Sequence, residues 1–599
     1  MSSQAVPDIA GFSELRPEPR EPGRTLLPPG VGRLDCALEQ QVEVERVMDR
    51  QLGRTLRGLK VGGRYQRLGF VKWADYVVER VGIELRWAQE LERLDRACEK
   101  VPELGEALAS GELVKSKVLE LFRVVDEGTP VDERRRWIER AGGMTVRELR
   151  REIAATRTTS APPVADPEET EPGSWVQIRV PMRVASLWHL AVERVRRLSN
   201  SEMPLYRCLE HIVADRFSGI GWPEDVSPPP DPAPTAESPP PPPLRVKHRT
   251  MSAPSSDVTA DPWELDGAIQ TIAELKKKAR QRLGELLEAM AAAQGWRPLG
   301  FTSLEHYAEE RLGLHPRTVR RLIRFHRALA KYPELARGYF AGELSYLKVL
   351  VLLRVAGTGT AVWTAWAAKR SYLDTQRAVA YAEPYAHSRT MSALPPAGFG
   401  AQPRIVGIHS DEPESLPARI RFWCPADLLP FIRAGLRSCR DPAGGLPPPD
   451  WRCLEILLVG FLEQAQDPAL EQLIARYPEL ERDGWRCTVP TCSQRAHLHS
   501  HHVEHRGQGG PDTLWNKATL CAPHHIGQEH GTGAIRVSGR APDQLYWEIG
   551  RRPRGGAPLL RFYGGVKIGV KINASVRTIH GLPHRLVRAR EPMLDSAAR

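Results

Sequence analysis

Apolar residues along most of this chain recur every three to four positions, the spacing that places them on one side of an α-helix. Leu265 to Ala292 carries such a stripe in a background rich in Ala, Leu, Glu and Lys, which predicts a long amphipathic helix closed by Gly295-Trp296. Downstream, Ser303 to Arg311 predicts a helix, Leu312-Gly313-Leu314 a tight turn, and Pro316 to Leu329 another helix opening at proline. Short strands are predicted around Val176 to Val180 and Arg419 to Phe422, each followed by a helix. The longest apolar stretch, Leu454 to Leu462, is interrupted by Glu455 and falls well short of the roughly eighteen residues that a membrane span requires.

The pattern repeats. Residues 68–118 align without a gap on residues 299–349 at an offset of 231, with 21 of 51 positions identical. Shared landmarks are Leu68-Gly69-Phe70 with Leu299-Gly300-Phe301, Tyr76 with Tyr307, Gly82 with Gly313, Pro102-Glu103-Leu104 with Pro333-Glu334-Leu335, and Gly111-Glu112-Leu113 with Gly342-Glu343-Leu344. A second likeness joins Val176-Gln177-Ile178-Arg179-Val180 and Arg207-Cys208-Leu209-Glu210 to Arg419-Ile420-Arg421-Phe422 and Arg452-Cys453-Leu454-Glu455. The expected fold is therefore mainly α and multidomain, with two copies of a helical body plus a small strand-helix unit. The expected order is a disordered N-terminus (1–30), a first helical body (31–156), its strand-helix unit (174–222) and a proline-rich linker (223–260). A second body (261–393), its strand-helix unit (416–467), a Cys/His-rich module (478–550) and a basic tail (551–599) follow.

Charge changes the picture by suggesting a partner. The formal net charge is +11 and 41% of residues are hydrophobic, enough for several globular cores carrying a basic surface. From Arg551 to Arg590 there are ten Arg or Lys and no Asp or Glu, which fits attraction to a phosphate backbone or, alternatively, a solvated tail. In the second body, residues 303–329 suit a helix-turn-helix whose basic helix presents Arg317, Arg320, Arg321 and Arg324 to DNA. An ordinary helical hairpin with a solvated basic face is the competing reading. The first body has Glu84 and Glu90 at the matching turns, so it is expected to serve packing or dimerisation while the second contacts nucleic acid.

Candidate chemistry concentrates between Cys487 and His530. Cys487 and Cys492 form a C-x4-C knuckle and Cys521 with His524 a C-x2-H knuckle, together supplying four ligands for one tetrahedral Zn2+. His501, His502, Asn516, His525 and His530 are left over. Cys36, Cys98, Cys208, Cys424, Cys439 and Cys453 are scattered without ligand spacing and read as neutral or core thiols. No apolar segment follows MSSQAVPDIAGF, which favours a reducing cytoplasm over disulfide chemistry.

This stretch resembles the HNH endonucleases and their ββα-metal module. The likeness rests on Leu498 to Val503 (Leu-x-x-His-His-Val), the loop Arg506-Gly507-Gln508-Gly509-Gly510, the Asn-x3-Leu-Cys step Asn516 to Cys521, and Cys521-x2-His524-His525. More loosely, the helical body resembles the region that precedes HNH modules in bacterial proteins of the 13E12-repeat type. The resemblance implies that His501 is a catalytic-metal ligand, His502 the general base, and Asn516 the holder of the loop that orients the base. It implies that His525 and His530 complete the protein ligands of Mg2+ or another divalent ion, and that Arg506 and Lys517 contact DNA. Two features depart from the family: His525 and His530 are five apart rather than four, and Lys517 stands where an apolar residue is usual. His499 and His505 read as solvent-facing or close to phosphate.

The function expected from the resemblance is metal-dependent hydrolysis of DNA phosphodiester bonds. Competing readings are a non-catalytic, zinc-stabilised DNA-binding or regulatory protein, and an HNH toxin or mobile-element nuclease. One module cuts one strand, so a double-strand break would call for a homodimer or rebinding. The bacterial character of the resemblance places the protein in a bacterial cytoplasm.

Overall fold

Helix dominates because the apolar stripes keep helical spacing and the breakers fall between them. The computed structural model describes residues 30–157, 173–220, 261–357, 359–386, 391–396, 403–407, 417–439, 448–464 and 475–568. The proline-rich linker 223–260, most of the N-terminal stretch 1–30 and the tail from 569 onward lie outside the described residues. No helix among those described is long and apolar enough to cross a membrane.

The first segment runs through α1 (Val31–Lys60), α2 (Trp73–Tyr76), α3 (Leu85–Lys100), α4 (Pro102–Ser110), α5 (Lys115–Leu121), α6 (Val131–Gly143) and α7 (Val146–Arg157). It continues into β1 (Gly173–Pro181), α8 (Met182–Leu198) and α9 (Leu205–Ile220). The second begins with α10 (Pro262–Ala292), started by Pro262 at its first turn and by Asp261, whose side chain accepts a hydrogen bond from the Trp263 amide. After it come α11 (Leu304–Arg311), α12 (Pro316–Lys331), α13 (Pro333–Phe340), α14 (Tyr346–Leu352), α15 (Thr360–Ala368) and α16 (Tyr372–Ala386). Ser303 and Ser345 cap α11 and α14 through their hydroxyls.

The two related segments do not fold side by side; they exchange parts. Tyr76 and Arg80 of the first reach Asp266 on α10, with Tyr76 Oη donating at 3.0 Å. Tyr307 and Arg311 of the second reach Asp35 on α1, with Tyr307 Oη donating at 2.7 Å. Each member of one set lies 231 positions from its counterpart in the other. The exchange recurs at the residue before each arginine. Glu79 accepts the Tyr372 amide at the start of α16, while Glu310 accepts the Val146 amide at the start of α7, each carboxylate capping a helix of the other segment. Burial raises the Glu79 carboxyl and lowers the nearby Lys348 ammonium. The division of labour expected from sequence, a packing copy beside a DNA-contacting copy, therefore meets an interlocked body in which each half completes the other. Arg321 illustrates it: instead of facing solvent freely it pairs with Glu84 of the first segment at 2.5 Å. Arg317, Arg320 and Arg324 are exposed.

The strand-helix units also meet. β1 pairs antiparallel with β4 (Pro417–Pro425), and the matched isoleucines Ile178 and Ile420 sit directly opposite each other. Behind this ribbon, α8 and α9 pack with α17 (Leu429–Arg437) and α18 (Asp450–Gln464) around Trp188, Phe217, Phe422, Cys208 and Cys453. The two units expected as separate domains thus form one four-helix, two-strand layer continuous with the core of the second body. Between the second body and its strand-helix unit, β2 (Met391–Leu394) pairs antiparallel with β3 (Arg404–Gly407).

The C-terminal module holds two antiparallel strands, β5 (Leu498–His502) and β6 (Lys517–Cys521), followed by a π-helix over Pro523–Thr532. A four-stranded antiparallel sheet then forms from β7 (Ile535–Arg540), β8 (Gln544–Ile549), β9 (Leu560–Tyr563) and β10 (Val566–Lys567). The basic tail therefore does not start at Arg551: Leu560 and Phe562 are core residues, and folded chain extends to residue 568. Although the module follows the second segment in sequence, it docks on the first, around Leu68, Phe70, Trp73 and Tyr76.

Candidate metal centres

Two clusters of ligand-type side chains lie on opposite sides of the β5–β6 hairpin and its helix. In the first, Cys487, Cys492, Cys521 and His524 are all buried, and their ligand atoms lie within 4.8 Å of one another. Cys487 comes from a turn after the short helix Pro478–Arg482, Cys521 ends β6, and His524 opens the π-helix. His524 Nδ1 lies 3.4 Å from Cys487 Sγ and 3.3 Å from Cys521 Sγ, while its Nε2 faces the Gly69 carbonyl at 3.3 Å. That places Nδ1 toward the thiols and lets Nε2–H donate outward, the arrangement of a metal-binding imidazole held by a carbonyl behind it.

Electrostatics point the same way. Burial and the neighbouring thiols push Cys492 well above the usual thiol range. Hydrogen bonds from Cys487 and Cys492 hold Cys521 far below it. Burial works to lower His524, but the Cys487 and Cys521 thiolates override it and raise the group to about 10. Three sulfurs crowded in an apolar core cannot all ionise without a cation. The donor set can hold a metal ion, and its three thiolates and one imidazole suit structural zinc.

The second cluster is made of imidazoles. His501, His525 and His530 bring ligand nitrogens within 4.8 Å of one another. His501 is 1% exposed and neither of its ring nitrogens has a hydrogen-bond partner. A buried imidazole with two orphan nitrogens is costly unless something else occupies them. Burial, then the surrounding histidines, lower His501 to about 3 and His525 to about 4, which keeps them neutral and able to donate lone pairs. The five-residue spacing of His525 and His530 is explained by the helix type. In a π-helix residues i and i+5 succeed each other along the axis, and the two rings stand 4.9 Å apart.

Sequence reasoning missed Glu529 and read His499 and His505 as standing apart from the ligands. His505 and Glu529 form a second candidate ligand set with His501. Glu529 lies four residues after His525, a helical spacing that could have drawn notice, and one of its carboxylate oxygens is buried without a hydrogen-bond partner, 3.4 Å from His530 Nδ1. His499, expected to face solvent or phosphate, instead meets His525 with Nδ1 atoms 3.1 Å apart. His505 likewise packs its ring 4.8 Å from that of His530 rather than standing free.

His502 faces away from His501, as neighbouring residues on a strand must. Its Nε2 lies 2.9 Å from Asp512 Oδ1, and Lys517, its cross-strand partner, pairs with the same carboxylate at 2.7 Å. These contacts hold the Asp512 carboxyl below its ordinary range, hydrogen bonds from Lys517 and His502 being the main causes. Asn516 is fully buried and pins the loop: its Nδ2 donates to the Glu504 and Pro511 carbonyls, and its Oδ1 accepts the Glu504 amide. The residue that touches His502 is thus Asp512 rather than Asn516. Arg506 is exposed at the rim of this loop.

Comparison with protein-family models, with curated proteins and with solved structures gives no match for this chain.

Proposed function

We propose that this chain is a metal-dependent DNA endonuclease of HNH type, hydrolysing phosphodiester bonds. The observation that carries the proposal is the trio His501, His525 and His530: converging nitrogens, a buried ring with two orphan atoms, and a helix wound so that a five-residue spacing still converges. A divalent ion such as Mg2+ held there would neutralise the scissile phosphate and the leaving 3′ oxygen. His502 serves as general base: with Nε2–H directed at Asp512, Nδ1 is left to take a proton from the attacking water. Asp512 fixes that tautomer, Asn516 fixes the loop that carries Asp512, and Lys517 and Arg506 supply positive charge to the DNA backbone.

The Cys487, Cys492, Cys521 and His524 set holds zinc and staples the module. We further read the interlocked body as a duplicated unit folded into an internal dimer, with the exposed Arg317 and Arg320 of α12 available to DNA and Arg321 engaged in holding the two halves together. Six thiols with no ligand partner suit a reducing bacterial cytoplasm.

The test is supercoiled plasmid incubated with the purified full chain in Mg2+, Mn2+ or Ni2+, with chelator controls. Conversion to open circle that chelator abolishes is the expected result. Duplex binding without nicking in any ion would favour the non-catalytic, zinc-stabilised DNA-binding reading. Nicking that disappears with host-killing ability in His502→Ala cells would favour the toxin reading.

A further inference from the structure

The β1–β4 ribbon has two faces of opposite character. Val176, Ile178 and Val180 with Ala418, Ile420 and Phe422 turn toward the helices behind. On the other face the cross-strand pairs are Trp175 with Trp423, Gln177 with Arg421, and Arg179 with Arg419. Trp175, Gln177, Arg179 and Arg421 are exposed, and the Arg421 guanidinium stacks over the Trp175 ring at 4.2 Å. Neither strand contains an Asp or Glu, and among the described residues no carboxylate pairs with any of the three arginines. Nearby on the same unit, by contrast, Arg183, Arg207 and Arg452 carry ion pairs.

From this face we infer a double-stranded DNA reader, the ribbon lying in the major groove with Arg179, Arg419, Arg421 and Gln177 toward the base edges. Three features select that occupant. Two strands set about 4.8 Å apart make a ribbon narrow enough for a groove about 12 Å wide. Arginine and glutamine are the side chains that bond bidentately to guanine and adenine there. The matched residues Ile178 and Ile420 pair with each other, so the ribbon has a local two-fold at its centre and offers a related set of groups to either half of a duplex site. The facing pair Trp175 and Trp423, of which Trp175 is exposed, then marks the one end where the ribbon leaves the groove. The inference rests on DNA being the partner and adds the surface that recognises it; it is independent of the imidazole trio.

The experiment measures anisotropy of a labelled random-sequence duplex against the full chain carrying His502→Ala, which leaves binding without cutting, over a series of salt concentrations. Arg179→Ala, Arg419→Ala and Arg421→Ala together should weaken binding by at least about tenfold and flatten its dependence on log salt, with unchanged thermal unfolding. The triple Arg→Lys variant, which keeps the charge, should recover most of the non-specific affinity. If the parent binds duplex and the wild type nicks plasmid while the alanine variant binds as tightly with the same salt slope, the ribbon inference fails and the nuclease reading stands. Tighter binding to single strands than to duplex also overturns groove docking. A parent that binds no DNA overturns both.

Discussion

Glu45 on α1 and Lys276 on α10 occupy equivalent positions of the two related segments, 231 residues apart, and close an ion pair with each other. The two aligned positions therefore meet each other across the α1–α10 contact. Identical residues there would set like charges face to face. Opposite charges satisfy the contact, and Asp49 joins it 2.7 Å from the Lys276 ammonium. One chain that holds both segments can place an acid opposite a base here.

Lys276 is 2% exposed, so removing it leaves Glu45 and Asp49 without their principal counter-charge. Lys276→Ala should destabilise the body by about 3–5 kcal/mol. Glu45→Lys should also destabilise it, and the exchange Glu45→Lys with Lys276→Glu should recover part of the loss. Thermal unfolding of the four proteins checks this; equal melting temperatures for the single variants and wild type would remove the pair from any role in holding the segments together.

The zinc set makes a sharper claim about the module. Cys521→Ser, or strong chelation, should cost the protein its zinc and unfold residues 487–532 while the helical body survives. Far-ultraviolet circular dichroism, metal analysis and proteolysis together read this out. A module that stays protease-resistant without zinc would show that its apolar core is sufficient.

Gly69 tests how the module is docked. It has φ +83°, and an added Cβ would fall 2.7 Å from Ile549 and 2.9 Å from the Gly550 amide, across the contact where His524 and Gln528 bond the Gly69 and Phe70 carbonyls. Gly69→Ala should therefore destabilise docking by more than the roughly 1–2 kcal/mol of a left-handed alanine alone. The matching Gly300 has open space around the added atom, so Gly300→Ala should show only the backbone penalty. Hydrogen exchange of the module in the two variants distinguishes them; equal effects would contradict the docking.

Much of the local structure was legible. The helix read over Leu265 to Ala292 begins only three residues earlier, at Pro262, and α11 and α12 fall where a serine cap, a turn and a proline place them. The clustering of Cys487, Cys492, Cys521 and His524 followed from knuckle spacing because such spacing is itself the constraint. The exchange between segments was not legible, since Tyr76 and Asp266 are joined by a contact across 190 residues that leaves no periodicity behind. Nor was the π-helix, because nothing in Pro523 to Thr532 marks an extra residue per turn. Asp512 and Glu529 were overlooked, and His505 was read as solvent-facing or close to phosphate, because an acid or imidazole in a polar loop looks like any solvated group. Arg551, Arg552 and Arg554 hid the start of β9, whose apolar residues begin only afterwards.

His189 sets an acid limit on stability. Burial holds its imidazole down at about 4, and its ring stacks 4.5 Å from that of Tyr381. The unfolded chain, titrating near 6.5, binds this proton between about pH 6.5 and 4 while the folded chain does not, so stability falls as pH falls through that window. The loss from this group is at most about 3 kcal/mol. His189→Phe keeps a ring and removes the titration, so its melting temperature should fall less than that of wild type from pH 7 to pH 4. Parallel pH profiles would contradict the assignment.

In the function we propose, His502 works on a phosphodiester bond beside an ion held by His501, His525 and His530. The most direct test is the plasmid nicking rate of His502→Ala against wild type in saturating Mg2+ or Mn2+, with Mn2+ binding measured on both proteins. We predict a loss of about 10²–10⁴-fold in rate with ion binding and thermal unfolding unchanged. Nicking by His502→Ala at the wild-type rate would contradict the account.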